Sequence, residues 1–256
     1  MATISNVNGK KITKIKYKGE IFDTGGSGVN PLQYIIDNHK GDGQPSGEDL
    51  FYEYWGSSLD DAISSCDFSK ITSAKQMFYD CKNLTSVPYF NTSNVTNMVY
   101  MFRSCSKLTT ILQLDTSKVT NMSGIFNNCS ELITIPQLNT INATNMQDMF
   151  ASCIKLTTID ITHMKTITSS YSSNFAYGCY SLTKLIIRNM DKIPALAASA
   201  LRECYHFTGT TDPTYNPQGL KDGRIYVPDD KVDALKTATN WSVYADIIVP
   251  LSTLVE

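Results

Sequence analysis

This chain of 256 residues contains a repeat of about 24 residues, which favours a fold built from stacked copies of one unit. The pattern M-F-x-x-C-x-x-L recurs from MFYDCKNL at 77–84 to MFASCIKL at 149–156, and NFAYGCYSL at 174–182 is a looser copy. The repeated phenylalanines and cysteines are Phe78, Phe102, Phe126, Phe150, Phe175, Cys81, Cys105, Cys129, Cys153, Cys179 and Cys204. Leucines and threonines keep the same spacing. A register shared by several columns indicates structural units that stack on one another.

Each unit contains two hydrophobic patterns. In NVTNMVYMFRSC, apolar residues follow i, i+3, i+4 and i+7 from Met98 to Cys105, which is one face of a short helix or helical turn. In LTKLIIRNM at 182–190, apolar residues alternate with outward ones, as in a strand. The sequence therefore predicts an α/β leucine-rich-repeat solenoid with short parallel strands, short helices, and N- and C-terminal caps.

Composition excludes several classes of protein. The chain is 42% hydrophobic and 18% charged, which suits a folded core. Its net charge of -2 gives no basic excess, so we expect no nucleic-acid partner. No apolar run is long enough for a transmembrane helix, and we expect no membrane insertion. The start, MATISNVNGKK, lacks the apolar segment of a secretory signal, so either the chain stays inside until released or a leader was removed.

The sequence contains no recognisable catalytic or metal-binding motif, so we expect no enzyme activity, cofactor or metal. The seven cysteines include no C-x-x-C pair, and an EF-hand reading of 37–48 fails because His39 and Gly41 occupy ligand positions. The cysteines of the repeat fall beside phenylalanine and leucine, which predicts buried thiols. Oxidation between neighbouring thiols stays open.

The phrase NTSNVTNMVYMFRSCSKLTTI, repeated as DTSKVTNMSGIFNNCSELITI, resembles the BspA-like leucine-rich repeats, which include the mycoplasma-type surface-protein repeat. The resemblance covers residues 66–205. It implies a bacterial surface protein or adhesin, and similar repeats occur in phage and prophage proteins. The family has no shared catalytic residues, so the resemblance implies recognition without enzymatic activity.

The domain organisation follows from the limits of the repeat. We predict an N-terminal β attachment segment at 1–22, a linker and N-terminal cap at 23–65, the repeats at 66–205 and a C-terminal cap at 206–256. In this last segment the sequence predicts a strand at Ile225–Val227, a helix entered at Pro228–Asp229, a buried Trp241 and a final strand around Ile247–Val249.

The attachment segment contains the alternating run Lys14, Ile15, Lys16, Tyr17 and Lys18. One interpretation is an exposed edge strand that its lysines protect from aggregation. The other is a docking strand, because the run resembles short openings of phage tail and virion-associated proteins.

The outward face of the strands is the candidate ligand-binding surface, since extended faces of repeat proteins are used for binding. Threonine also simply suits strands, which is the alternative explanation of its frequency there. The residues predicted on this face are Ser86, Pro88, Thr110, Leu112, Thr134, Pro136, Thr158, Asp160, Lys184 and Arg188, with Ile186 expected to face outward beside them. Tyr89, Gln113 and Gln137 are predicted to form a second column on the adjacent turn and complete the candidate surface.

The leading functional hypothesis is a phage tail-associated structural protein of fibre or receptor-binding type, located in the virion. The alternative is a BspA-like adhesin, located on the bacterial cell surface or secreted. Expected partners are a host-cell surface protein or glycan, other virion tail proteins or cell-surface components, and a possible second copy of the chain. A glycan hydrolase would need paired carboxylates, and Asp160 is the only acid predicted on the strand face.

Overall fold

The computed structural model describes residues 3–4, 14–17, 20–23, 31–38, 40–41, 44–45, 49–51, 66–164, 169–209, 213 and 221–255. In these residues the protein is mixed α/β, with short parallel strands and few helices. The strands are β1 (Thr3–Ile4), β2 (Lys14–Tyr17), β3 (Glu20–Asp23), β4 (Lys40–Gly41), β5 (Gln44–Pro45), β6 (Ser86–Val87), β7 (Thr110–Ile111), β8 (Thr158–His163), β9 (Lys184–Asn189), β10 (Arg224–Val227) and β11 (Ile248–Pro250). The α-helices are α1 (Pro31–Asn38), α2 (Tyr205–Thr208) and α3 (Val232–Thr237).

Backbone hydrogen bonds join each repeat unit to the next. In the first unit, alternate N–H groups donate to the carbonyl 23 positions later, over 2.8–2.9 Å. These donors are Ala74, Gln76, Phe78 and Asp80. The N–H groups between them turn back within the unit, as that of Met77 does to the carbonyl of Ala74. Each unit thus satisfies half of these donors itself and relies on its neighbour for the other half.

The short helices predicted in each unit are instead successive turns, and no α-helix lies within residues 66–164. The apolar residues of this segment are buried as predicted, but two positions per unit have left-handed backbone, such as Tyr100 (φ 56°) and Ser104 (φ 62°). Left-handed residues interrupt the continuous i to i-4 bonding of an α-helix. Successive turns of about three residues place side chains on one face at nearly the spacing of an α-helix. The hydrophobic pattern of the sequence therefore does not distinguish a short helix from successive turns.

A column of phenylalanine rings forms the centre of the core. Phe78 and Phe102 stack with ring centroids 5.0 Å apart and planes 3° from parallel. The stack continues through Phe126 to Phe150 at 5.6–5.7 Å, and Phe51 extends it at the other end. These rings and the cysteine and leucine columns beside them are buried, so the hydrophobic core runs continuously from unit to unit.

A second ladder of threonine side chains joins the units near the surface. The hydroxyl of Thr96 donates to the carbonyl of Thr72 over 3.2 Å, and Thr120 and Thr144 repeat the contact one unit at a time. The threonine column of the sequence therefore has a structural role. The same carbonyls also accept the backbone N–H of the same threonines over 2.8–2.9 Å, so each hydroxyl adds a second hydrogen bond between neighbouring units.

The strands lie side by side in register. β6 pairs with β7, and β8, β9, β10 and β11 form one parallel four-stranded sheet in that order. The C-terminal elements match the sequence prediction, because a strand, the helix α3, a buried Trp241 and a final strand follow in that order. The indole N–H of Trp241 donates to the carbonyl of Pro194 over 2.9 Å. The predicted domain boundaries remain a prediction.

The N-terminal strand differs from its predicted place at a sheet edge. β2 lies between β1 and β3 and pairs antiparallel with both. The edge-strand interpretation of Lys14 to Tyr17 is therefore wrong, and Lys18 lies outside the described residues. Sequence alternation missed this arrangement because β1, with two residues, is too short to show a period.

Candidate functional site

The predicted ligand-binding residues lie along one side of the stacked strands, here called the strand face. Parallel registers align Ser86 with Thr110, and a bridge aligns Thr110 with Thr134. Thr158 of β8 is aligned in the same way with Lys184 of β9. All thirteen residues predicted for this surface are exposed or half-buried, and the alternate residues between them are mostly buried in the core. The structure therefore leaves every predicted residue at least partly exposed and aligns Ser86, Thr110 and Thr134, and Thr158 with Lys184, although this placement does not test whether they bind a ligand.

The N-terminal part of the strand face is apolar. Tyr89 is 61% exposed and Leu112 is 56% exposed, and the half-buried Pro88 and Pro136 are repeat equivalents of Leu112. An exposed aromatic ring beside aliphatic side chains is the kind of surface that a binding partner covers. The neighbouring hydroxyl column offers hydrogen-bond donors and acceptors along its length.

The C-terminal part of the strand face is polar and charged. Arg188 holds Asp160 with a two-pronged contact, Nη2 to Oδ2 at 2.7 Å and Nε to Oδ1 at 3.0 Å. The amide of Gln137 donates to the same carboxylate over 3.2 Å. Three of the predicted residues thus form one hydrogen-bonded cluster, in which Asp160 is fully engaged as an acceptor.

Ile186 does not contribute an exposed side chain as predicted. It is only 5% exposed, although its neighbours in the strand alternate as expected. Its place in the sheet explains the difference, because it is in register with Asp160 on one side and Tyr226 on the other. A residue on an inner strand has neighbours on both sides, which reduces the exposure of its side chain.

Sequence reasoning missed Arg224 and Tyr226, which extend the strand face beyond the repeats. β10 pairs with β9 so that Arg224 lies beside Lys184 and Tyr226 beside Ile186. The alternation Arg-Ile-Tyr-Val was visible in the sequence, and it could have shown that these residues point the same way. Which strand they join depends on the register of β10, which the sequence pattern does not reveal.

The cysteine column is a hydrogen-bond ladder. The thiol of Cys129 donates to the carbonyl of Phe102 over 3.0 Å, and Cys153 makes the same contact with Phe126. Burial raises the pKa of Cys179 to about 12 and holds the pKa of Cys153 well above its usual range. These two thiols therefore stay protonated at neutral pH and act as donors, which disfavours metal coordination or nucleophilic chemistry there. Among the described residues, no group of three His, Cys, Asp or Glu side chains could hold a metal ion.

Comparison with known proteins identifies a family. The family model described as "Mycoplasma protein of unknown function, DUF285" matches residues 47–159 and 108–191. These overlapping ranges include most of the repeat units and span more than half of the chain. No curated protein matches the chain. None of the described helices is long and apolar enough to cross a membrane. The chain belongs to the DUF285 family, the mycoplasma-type repeat family that its sequence resembles.

Proposed function

We propose that this protein is a non-enzymatic recognition module, a leucine-rich-repeat solenoid whose strand face binds a partner on a cell or particle surface. The single observation that carries the proposal is the strand face itself. It presents exposed apolar side chains, Tyr89 and Leu112, next to a column of hydroxyl groups on a scaffold held by regular hydrogen bonds. A rigid face of this kind suits recognition, because little conformational entropy is lost when the partner binds.

The contacts between units support the solenoid. Backbone donors, threonine hydroxyls and thiols all reach the neighbouring unit, and the phenylalanine rings stack in the same direction. Such nearest-neighbour contacts are typical of solenoid repeat proteins.

The chemistry of the strand face favours binding over catalysis. A glycan hydrolase needs two carboxyl groups that flank the scissile bond. Asp160 is instead held by Arg188 and Gln137, and no second acid is among the residues predicted for this face.

The cell surface is the first setting to test. One support for the virion hypothesis is a docking strand at Lys14 to Lys18, but both sides of β2 are already paired with β1 and β3. The family description names a bacterium and says nothing of a phage. Quantitative mass spectrometry of cell-envelope fractions and of purified phage particles separates the two settings. Enrichment in the envelope supports the adhesin alternative, and enrichment in particles at a fixed ratio to tail proteins supports the virion component.

Binding is tested on an array of extracellular-matrix proteins, mucins and bacterial cell-wall glycans. We expect Leu112→Glu and Tyr89→Ala to lose most of the binding seen for the parent protein. Matched controls are Ile141→Glu and Tyr171→Ala, at positions that are 39% and 46% exposed and outside the predicted face. Equal loss in controls and face variants, or no binding to any feature by the parent, would overturn the proposal.

A further inference from the structure

We propose that the C-terminal part of the strand face, around Lys184, Arg224 and Tyr226, binds the carboxylate or sulfate group of an acidic glycan. This inference rests on the proposed function of the strand face and names the class of ligand. It follows from the charges and the ring that β9 and β10 bring together in register.

Two cations face one another across adjacent strands. Lys184 and Arg224 are direct partners in the parallel register, and both are half-buried. No described carboxylate lies within ion-pair distance of either one. Like charges placed directly opposite one another destabilise a sheet, so the pair favours a bound anion.

The acids among the described residues around this pair do not neutralise it. Asp246 is close enough to Arg224 for its charge to be felt, but its carboxylate accepts a hydrogen bond from Lys221 over 2.7 Å. That hydrogen bond is the main cause of the lowered pKa of Asp246, and Arg224 adds a smaller effect. On the other side, Asp160 is committed to Arg188. The excess positive charge therefore remains at Lys184 and Arg224, on a protein whose net charge is -2.

The guanidinium of Arg224 is already oriented. One of its terminal nitrogens, Nη1, donates to the carbonyl of Gly223 over 2.8 Å. An anchored guanidinium still has Nε and Nη2 with which to donate to an incoming anion, and a planar fork suits two acceptor oxygens.

The remaining neighbours favour a sugar over a peptide. Tyr226 follows Arg224 by two residues on the same face, and Val249 of β11 is in register with it. An aromatic ring with an aliphatic flank packs against the apolar face of a sugar ring. The hydroxyl of Thr158, in register with Lys184, lies where a sugar hydroxyl could bond. Cations, ring and hydroxyl together match a sugar that carries an acidic group.

The test uses the full chain with a sulfated heparin oligosaccharide as probe and neutral dextran as the uncharged comparison. We expect Lys184→Gln with Arg224→Gln to weaken heparin binding by about tenfold or more, since the two charge-assisted contacts together contribute at least that factor. The matched control is Lys192→Gln with Arg202→Gln, which removes the same charge from two exposed positions elsewhere. It should bind nearly as the parent protein does.

A second variant keeps the test valid if the double variant folds poorly. Lys184→Glu places opposite charges across the strands, so we expect a higher urea midpoint together with lost heparin binding. A structural role alone would not produce this opposite change in stability and binding.

Three results would overturn the inference. Heparin binding that falls equally in control and site variants indicates a nonspecific charge effect. If Lys184→Glu binds heparin as tightly as the parent protein does, heparin does not bind at Lys184 and Arg224. If the protein binds a poly-glutamate peptide more tightly than heparin, the ligand of this site is an acidic peptide and not an acidic glycan. If any of these occurs while Leu112→Glu still abolishes array binding, the proposed function stands and only the ligand class fails.

Discussion

The thiol of Cys105 donates a hydrogen bond to the carbonyl oxygen of Phe78, 3.0 Å away and one repeat unit earlier. The same contact recurs from Cys81, which reaches Phe51, to Cys204, which reaches Ala176. The Phe78 carbonyl also accepts the backbone N–H of Cys81 over 3.3 Å, so the thiol adds a second hydrogen bond to a carbonyl in the buried core. The cysteine in each unit thus both fills a small apolar space and links that unit to the one before it.

Replacing a buried cysteine by alanine should lower the free energy of unfolding more than replacing it by serine. We expect Cys105→Ala to lower the free energy of unfolding by about 1–3 kcal/mol, because it removes one of the two hydrogen bonds to the Phe78 carbonyl and leaves a small cavity behind. Cys105→Ser keeps a donor and should lose clearly less. Urea unfolding of both variants measures the difference. Equal destabilisation would show that packing alone, without the hydrogen bond, explains the column.

Thiol reactivity should divide the seven cysteines into two classes. Cys66 is half-exposed, whereas the other six are buried. We expect iodoacetamide at neutral pH to modify Cys66 first in the folded protein and all seven thiols only after denaturation. Intact-mass spectrometry over time counts the adducts. Simultaneous modification of several thiols under native conditions would contradict the burial of the ladder.

The raised thiol pKa values make stability depend on alkaline pH. Burial raises the pKa of Cys179 from its ordinary value of 9.0 to about 12, so the folded protein keeps a proton that the unfolded chain loses. This contribution is complete below about pH 9 and is lost as the pH rises toward 12. Between about pH 9 and pH 12, the free energy of unfolding of Cys179→Ser should fall less steeply than that of the parent protein, by about 1.4 kcal/mol per pH unit. Urea midpoints at several pH values measure this slope, and a slope equal to that of the parent protein would contradict the shift.

The left-handed turn positions give a stabilising substitution. Ser104 has φ 62°, which costs a residue with a Cβ atom free energy that glycine avoids. Glycine relieves this backbone strain, but it also has more conformational entropy in the unfolded chain, which offsets part of the gain. On balance, we expect Ser104→Gly to raise the free energy of unfolding by about 0.5–1 kcal/mol. Ser106 has no such backbone and serves as the control, so Ser106→Gly should destabilise. Thermal unfolding compares the two, and a loss of stability in Ser104→Gly would contradict the turn geometry.

The repeat should accept an additional unit. Insertion of a second copy of residues 97–120 after Thr120 adds one 24-residue period and keeps every column in register. We expect a folded protein, no less stable than the parent, whose longest dimension in small-angle scattering grows by about 4.8 Å. Insertion of residues 109–120 alone shifts the columns by half a period and should unfold the repeat region. Similar behaviour of the two insertions would contradict the nearest-neighbour arrangement.

Much of the core was predictable because a repeat shows the same position many times. The period identified Phe102 and Cys105 as core residues, and both are buried. The alternation in 182–190 identified the strand that became β9. Local conformation was less predictable, because a short helix and a series of turns would bury the same repeated apolar positions. The positive φ of residues such as Ser104 shows that these segments are turns.

The amino-acid sequence is sufficient to show which side chains are buried in each unit, because their spacing repeats and each unit can bury its apolar face only against another. It also determined the family and the side of the strands that faces outward. The neighbours that a strand has from distant segments of the chain became known only from the three-dimensional structure. It placed β2 in the middle of its sheet, enclosed Ile186, and brought Arg224 and Tyr226 beside β9. These relations depend on strand register, which is set by hydrogen bonds between segments far apart in the chain and leaves no local pattern.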